Sequence, residues 1–159
     1  MCLPLKPFKI EREWLHAGLK CTVVQAREAS NRCGYVRVPP SHPLHGKSYD
    51  DADVDVHGGL TFADIEPCTE EDGTGWWFGF DCAHWQDALF DPNPDLATLS
   101  EEAKNLLESM NRIHRDVSVE IYGYVKPREE HFWTQAEVER ECERLAEQLA
   151  EVRHALPAD

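Results

Sequence analysis

The sequence predicts an α+β fold: a mainly antiparallel sheet of about five to six strands, packed by a long C-terminal helix and a shorter helix. Two observations indicate a sheet in the first half of the chain, namely short β-branched and aromatic runs and alternation of apolar with polar residues. A third, an apolar residue at every third or fourth position near the end of the chain, is typical of an amphipathic helix. The length of 159 residues fits a single domain, 1–159, with a β-rich site region over 14–88.

The strands are predicted from runs of β-forming residues that end at turn residues. Residues 14–25 form one run, and residues 34–38 form a second run that Pro39 stops. Residues 76–81 form another strand, in which a period of two gives a core face (Trp76, Phe78, Phe80) and a second face (Trp77, Gly79, Asp81). The second face offers an aromatic ring, a bare backbone and a carboxylate, as a bound ligand would require. The alternative is a bulge at Gly79 and a core role for Trp77.

Residues 53–62 have the pattern of a β-hairpin. Polar and apolar residues alternate up to Gly58-Gly59, which suits a two-residue loop, and a second short apolar run follows. With that loop, His57 would lie opposite Leu60, and Asp55 would lie opposite Phe62. We therefore expect this hairpin to form one wall of a pocket.

Two helices and one strand are predicted after the sheet. Ser100 is a suitable N-cap for a helix over 100–113, and the β-branched run 117–125 favours a strand. Thr134 and Glu137 form a T-x-x-E capping box at the start of a C-terminal helix over 134–156. The apolar stripe of that helix consists of Val138, Cys142, Leu145, Leu149, Val152 and Leu156. We expect it to cover the sheet, with a dimer seam between two copies as the alternative.

The net charge of −14 is distributed unevenly. Residues 48–103 contain fifteen acidic residues and neither Lys nor Arg, whereas residues 1–47 contain eight basic and three acidic residues. Such an acidic block repels a nucleic-acid backbone, which excludes direct binding of duplex nucleic acid through this surface. Within the block, residues 66–72 are expected to be a solvated loop. An anionic ligand would need positive charge from the basic residues of the N-terminal segment, a second subunit or a cation.

The candidate site lies between Cys33 and His84, where polar residues fall at predicted strand ends and turns. The candidate ligand-binding residues are Lys47, Tyr49, Asp55, His57, Gly58, Gly59, Trp77, Gly79 and Asp81. The Asp-x-His and Asp-x-x-His pairs supply four candidate ligands of a divalent metal: Asp55, His57, Asp81 and His84. Asp50 is the candidate general base. The alternative for each residue is an ordinary structural hydrogen bond.

Several classes of protein are excluded or disfavoured by missing patterns. No metalloprotease, nucleophile-elbow, P-loop or dinucleotide-binding motif occurs. The six cysteines contain no C-x-x-C pair and are expected to be buried, reduced side chains. No apolar run reaches the length of a membrane span, and Met1 to Phe8 does not resemble a signal peptide. We expect a soluble protein of the cytoplasm.

Several motifs resemble those of a family of small uncharacterised proteins encoded in phage and prophage genomes. The motifs are Gly34-Tyr35-Val36, His42-Pro43, Gly46-Lys47, Tyr49-Asp50, the run 54–61 and the run 76–84. The resemblance covers roughly Trp14 to Asp87 and the final helix. It implies a phage setting within a host cell, where small proteins often act against host immunity.

Three functions are therefore predicted as alternatives. The first is a protein that binds a small nucleotide-like signal in counter-defence, with Trp77 and Tyr49 stacking on the ligand. The second is a metal-dependent phosphoester hydrolase. The third is an acidic protein that imitates DNA toward a basic host protein through residues 50–72. Whether the protein is an enzyme is left open, and a homo-oligomer through the C-terminal helix is a further expectation.

Overall fold

A computed structural model describes residues 8–27, 29–65 and 74–155, with side chains described up to residue 152. The described residues form a five-stranded antiparallel sheet in the order β1-β2-β3-β5-β4 and two α-helices, which confirms the predicted α+β fold. The strands are β1 (Phe8–His16), β2 (Leu19–Ala26), β3 (Arg32–Val38), β4 (Phe62–Ile65) and β5 (Trp76–Asp81). The helices are α1 (Glu101–Tyr122) and α2 (Gln135–Ala155). The predicted acidic loop over 66–72 lies outside the described residues.

The predicted strand over 14–25 is two strands joined by a tight turn. Ala17 and Gly18 both have positive φ, 49° and 77°, and β1 pairs with β2 on either side of them. Positive φ at both central residues gives the reversed turn that matches strand twist. The prediction of a single strand was wrong because Ala-Gly is a weaker hairpin signal than Asn-Gly or Gly-Gly.

Helix α2 covers one face of the sheet and completes the core. Its stripe residues Val138, Cys142, Leu145 and Leu149 are fully buried together with Phe78 and Phe80 of β5. The T-x-x-E capping box is present: Thr134 Oγ1 accepts from the Glu137 backbone N–H, and Glu137 Oε2 accepts from the Thr134 backbone N–H. These four residues of the stripe therefore cover the domain's own sheet, as expected, while Leu156 lies outside the described residues.

Residues 53–57 do not form the predicted hairpin. They have no strand pairing, and the chain turns at His57 and Gly58 before β4 pairs with β5. The segment docks instead on α2, where the Gln148 side chain accepts from the Asp55 N–H at 2.7 Å and donates to the Asp55 carbonyl at 2.8 Å. Side chains of α2 satisfy backbone groups that a partner strand would otherwise satisfy.

The predicted strand over 117–125 is also absent, because α1 continues through most of it. The helix ends at Tyr122, and Gly123 caps it in the left-handed conformation with φ 74°. Few α1 residues are buried, namely Ala103 and Ser118, while aliphatic side chains such as Ile113 and Ile121 are exposed. The core therefore depends on the sheet and α2 rather than on α1. No helix among the described residues has the length and apolar character needed to cross a membrane.

Candidate metal centre

His57, His84 and Asp87 converge at one end of the sheet. Each offers one potential ligand atom, and these atoms all lie within 4.8 Å of one another. His57 Nε2 is 2.8 Å from Asp87 Oδ2, and His84 Nδ1 is 3.2 Å from the same oxygen. His57 comes from the turn after the segment docked on α2, whereas the other two lie in the loop that follows β5. The structure thus brings together two of the four predicted metal ligands and adds a third.

Asp87 is the buried centre of this cluster. Its side chain is only 3 % exposed. Oδ2 also accepts from the His84 backbone N–H at 2.9 Å, and Oδ1 accepts from Trp133 Nε1–H at 2.9 Å. Burial by itself raises the pKa of the Asp87 carboxyl, but the interactions with His57, the His84 backbone and Trp133 outweigh it, so the pKa is lowered. The carboxylate is therefore ionised at neutral pH and suited to hold a cation.

Gly58 allows the His84 imidazole to approach the backbone of the His57 turn. Its φ is 67°, and a Cβ built on it would overlap the His84 ring. The neighbouring Gly59 also has a positive φ, 79°, but a Cβ there would meet no atom within 4 Å. Gly58 was predicted to contact a ligand, and its observed partner is a side chain of the cluster itself. The requirement for glycine at position 58 is therefore both conformational and steric.

Aromatic and acidic groups surround the cluster. The His57 ring stacks on Trp133, with ring centroids 4.1 Å apart, and meets the His84 ring edge-on at 5.3 Å. Glu141 Oε2 accepts from the His57 backbone N–H at 2.8 Å. Asp81 Oδ1 lies 3.9 Å from His84 Nδ1, while its Oδ2 accepts from the Thr61 hydroxyl. Asp81, a predicted metal ligand, is thus a neighbour of His84 but does not belong to the group formed by His57, His84 and Asp87.

The predicted ligand face of β5 is occupied by the protein itself. Trp77 is fully buried, so its ring offers no stacking surface. Tyr35 lies opposite Gly79 in β3, and its ring fills the space that a Cβ at Gly79 would take. The Tyr35 ring in turn packs edge-on against Phe62 at 5.5 Å. The ligand-binding roles predicted for Trp77 and Gly79 were therefore wrong: Tyr35 makes the close approach that the bare glycine allows.

The other predicted site residues lie outside the cluster. Asp55 is 88 % exposed and pairs with Arg144 at 3.4 Å, so its predicted role beside His57 as a ligand was wrong. Tyr49 and Asp50 belong to a short 3-10 helix, Tyr49–Asp51, and both are exposed. Lys47 and Gly59 are exposed as well. These residues do not join His57, His84 and Asp87 in the metal-ligand group.

Asp87 and Trp133 are the important residues that sequence reasoning missed. A signal for Asp87 was present, because Asp81, His84 and Asp87 recur at intervals of three. The turn-rich surroundings of Asp87 gave no periodic pattern that would have set it apart from a solvated loop. Trp133 immediately precedes the capping box of α2, and only the tertiary fold brings it to a site more than forty residues earlier in the chain.

The described cysteines do not contribute ligands to the cluster. Cys21, Cys33, Cys82 and Cys142 are buried and free, as predicted. Burial raises the pKa of Cys21 and that of Cys33 to about 12. Their thiols are therefore protonated at neutral pH.

Comparison with protein-family models, curated proteins and solved structures finds no match to this chain. The resemblance to phage proteins therefore stays a prediction, and the site must be interpreted from its own chemistry.

Proposed function

We propose that this protein binds a divalent transition-metal ion through His57, His84 and Asp87 and uses the ion to hydrolyse phosphoesters. The observation that carries the proposal is the convergence of the three ligand atoms within 4.8 Å of one another. Ligand atoms bound to Zn²⁺ at about 2.0–2.1 Å lie roughly 3.3 Å apart in a tetrahedral site. The distance of 3.2 Å from His84 Nδ1 to Asp87 Oδ2 is close to this spacing, whereas the 2.8 Å from His57 Nε2 is a hydrogen-bond length that would increase on metal binding.

The ligand types favour a transition metal over Ca²⁺ or Mg²⁺. Imidazole nitrogens suit Zn²⁺, Fe²⁺ and related ions, whereas Ca²⁺ and Mg²⁺ require oxygen ligands. The hydrogen bond from Trp133 to Asp87 and the stacking of Trp133 on His57 orient two of the ligands. Such outer contacts support metal ligands in proteins generally. Without a metal, the same residues form a hydrogen-bonded His-Asp-His network, which is the alternative that experiment must exclude.

Among the described residues three side chains converge, and three protein ligands are typical of a catalytic metal rather than a structural one. Structural zinc sites are usually closed by four protein ligands, while catalytic sites keep a position for water or substrate. The His57 and His84 side chains are 22 % and 34 % exposed, so solvent reaches this side of the cluster. A bound ion would lower the pKa of a coordinated water and polarise a phosphoryl oxygen. These features support hydrolysis of an anionic ester.

Metal titration of the purified protein tests the binding step. After dialysis against chelator, we expect calorimetry with Zn²⁺ or Mn²⁺ to give one site per chain, and His57→Ala or Asp87→Asn to abolish it. His16→Ala is the matched control, because His16 pairs with Glu147 outside the cluster. Loss of binding in His16→Ala, or an unchanged site in both cluster variants, would contradict the proposal.

A phosphoesterase assay tests the catalytic step. The metal-loaded protein is expected to hydrolyse bis(p-nitrophenyl) phosphate faster than the metal-free protein or Asp87→Asn. Metal binding without hydrolysis of simple or nucleotide esters would leave a binding protein rather than an enzyme. The phage setting, the counter-defence role and the binding of a basic host protein remain predictions from the sequence.

A further inference from the structure

A groove lies between the loop that carries His84 and Asp87 and the connector that joins α1 to α2. Its volume is about 470 Å³, within the range of small-molecule sites. We call it the Trp85 groove, and the lining residues that decide its charge and aromatic character are Trp85, Lys126, Arg128, Glu129, Glu130 and His131. His57, His84 and Asp87 do not line the groove, but Trp85 and Gln86 stand between His84 and Asp87 in the chain, so one wall of the groove belongs to the loop that carries two of the proposed ligands.

We infer that the Trp85 groove binds a nucleotide-like phosphate ester, with the base on Trp85 and the phosphate toward the metal. This inference rests on the proposed metal binding and names the substrate class of the same site.

Trp85 provides the first argument. Its side chain is 91 % exposed, unlike that of Trp77, which is buried in the core. Exposure of the apolar indole surface to water is unfavourable. A planar group that stacks on the ring would bury this surface and lower the free energy. Any nucleobase can stack on an exposed aromatic ring, because every base has a planar π face. The aromatic role predicted for Trp77 is thus available at Trp85.

The second argument concerns the connector, residues 123–134, which places two cations beside the groove, each paired with an acidic residue. Arg128 is fixed by hydrogen bonds of 3.2 Å to the Met110 carbonyl and to Asn111 Oδ1. Arg128 also donates a hydrogen bond to the Glu130 carboxylate. The Lys126 ammonium lies 3.6 Å from the Glu129 carboxylate. The positive charges of Arg128 and Lys126 are thus balanced by the negative charges of the two glutamates. These four side chains give the groove no net positive charge. A phosphate therefore needs the metal ion as well, which makes nucleotide binding metal-dependent.

His131 provides the third argument, since it ties the groove to the metal centre. Its backbone N–H donates to the Gln86 carbonyl, and its carbonyl accepts from the Ala88 N–H, both at 2.8 Å. Its ring meets Trp133 edge-on at 5.2 Å, and Trp133 stacks on His57. His131 lines the groove and contacts Trp133, and Trp133 contacts His57, so these contacts link the groove wall to a proposed metal ligand.

Calorimetric titrations of the metal-loaded protein with three probes test the inference. Adenosine monophosphate has a base and a phosphate, whereas ribose 5-phosphate lacks the base and adenosine lacks the phosphate. Zn²⁺ is the ion, or Mn²⁺ if hydrolysis interferes. We expect adenosine monophosphate to bind tightest, and removal of the metal to weaken it at least tenfold. Trp85→Ala is expected to weaken it by roughly fivefold or more, while the affinity for ribose 5-phosphate stays within about twofold.

Controls separate failure of the groove from failure of the metal site. Leu15→Ala removes a highly exposed apolar side chain that does not line the groove, and it should leave nucleotide affinity unchanged. Trp85→Ala should keep one metal per chain. Normal metal binding with no nucleotide binding, or with equal affinity in Trp85→Ala, would overturn the inference alone. Absence of metal binding would overturn the proposed function. Equal nucleotide affinity with and without metal would mean that the ion does not bind the phosphate of the nucleotide.

Discussion

Trp133 Nε1–H donates a hydrogen bond of 2.9 Å to Asp87 Oδ1, so the residue just before α2 fixes a carboxylate in the loop after β5. The same indole stacks on His57 at 4.1 Å. One side chain therefore orients two of the three proposed metal ligands, and its polar and apolar contributions can be separated by substitution.

Trp133→Phe is expected to keep much of the stacking on His57 and to lose the hydrogen bond to Asp87. Removal of an outer contact of this kind typically lowers metal affinity by about 10–100-fold. The measurement is the Zn²⁺ dissociation constant of the variant. Trp14→Phe is the matched control, because Trp14 Nε1 has no hydrogen-bond partner among the described residues. Equal metal affinity in Trp133→Phe and the parent protein would remove Trp133 from the site.

The pair Gly58→Ala and Gly59→Ala separates backbone strain from a steric clash. Both positions have positive φ, and a Cβ in that conformation costs about 1–2 kcal/mol. Only the Cβ at position 58 would overlap the His84 ring. We therefore expect both variants to lose stability in urea unfolding, and only Gly58→Ala to lose metal affinity as well. Equal metal affinity in the two variants would mean that the contact between Gly58 and the His84 ring does not position the metal ligands.

Gln148→Ala tests whether docking of residues 53–57 on α2 positions His57. The substitution removes two hydrogen bonds to the Asp55 backbone, at a cost of about 1–3 kcal/mol. We expect urea unfolding to show this loss and metal affinity to fall. Asp55→Ala is the control, since it removes the highly exposed carboxylate that pairs with Arg144 and keeps the backbone groups that Gln148 binds, and such ion pairs contribute about 0–1 kcal/mol. A smaller effect for Gln148→Ala than for Asp55→Ala would mean that the two hydrogen bonds do not hold residues 53–57 on α2.

The capping box of α2 predicts a pH dependence of stability. Burial raises the pKa of Glu137, but hydrogen bonds from Thr134 and the interaction with His131 outweigh it, so the pKa is lowered. The folded protein therefore releases this proton more readily than the unfolded chain does. The stabilisation is present above the unfolded-state pKa and is lost as the pH falls through the folded-state pKa.

Glu137→Gln removes the titrating group and keeps an acceptor for the cap. The stability difference between the parent protein and this variant should shrink as the pH is lowered from about 6 to about 3. Urea unfolding at a series of pH values measures it. Thr134→Val, which removes one hydrogen bond to the carboxylate, should reduce the same slope. A difference between parent and Glu137→Gln that does not change with pH would refute the assignment.

The parts of the fold that could be predicted are those with strong local patterns. The apolar stripe and capping box of α2 and the core face of β5 depend on residues near one another in sequence, so periodicity finds them. The region over 117–125 misled the prediction because Val117, Val119 and Ile121 favour strands by local propensity. Helix α1 continues through these residues until Gly123 provides a left-handed C-cap.

The candidate site could be predicted only in part, because its contacts are long-range. His57 and His84 were identified from their positions near turns, and their proximity is confirmed. Asp55 was misplaced because a two-residue Gly-Gly loop implied a hairpin, whereas Gln148 of α2 satisfies the same backbone groups. No local pattern links Asp87 to Trp133, and their hydrogen bond arises only when α2 packs on the sheet.

The most direct test of the central claim is a crystal structure of the Zn²⁺-loaded protein with anomalous scattering measured at the zinc edge. We expect one strong peak about 2.0–2.2 Å from a ring nitrogen of His57, a ring nitrogen of His84 and a carboxylate oxygen of Asp87. A peak elsewhere, or no peak with His57 still hydrogen-bonded to Asp87, would contradict the proposed metal site.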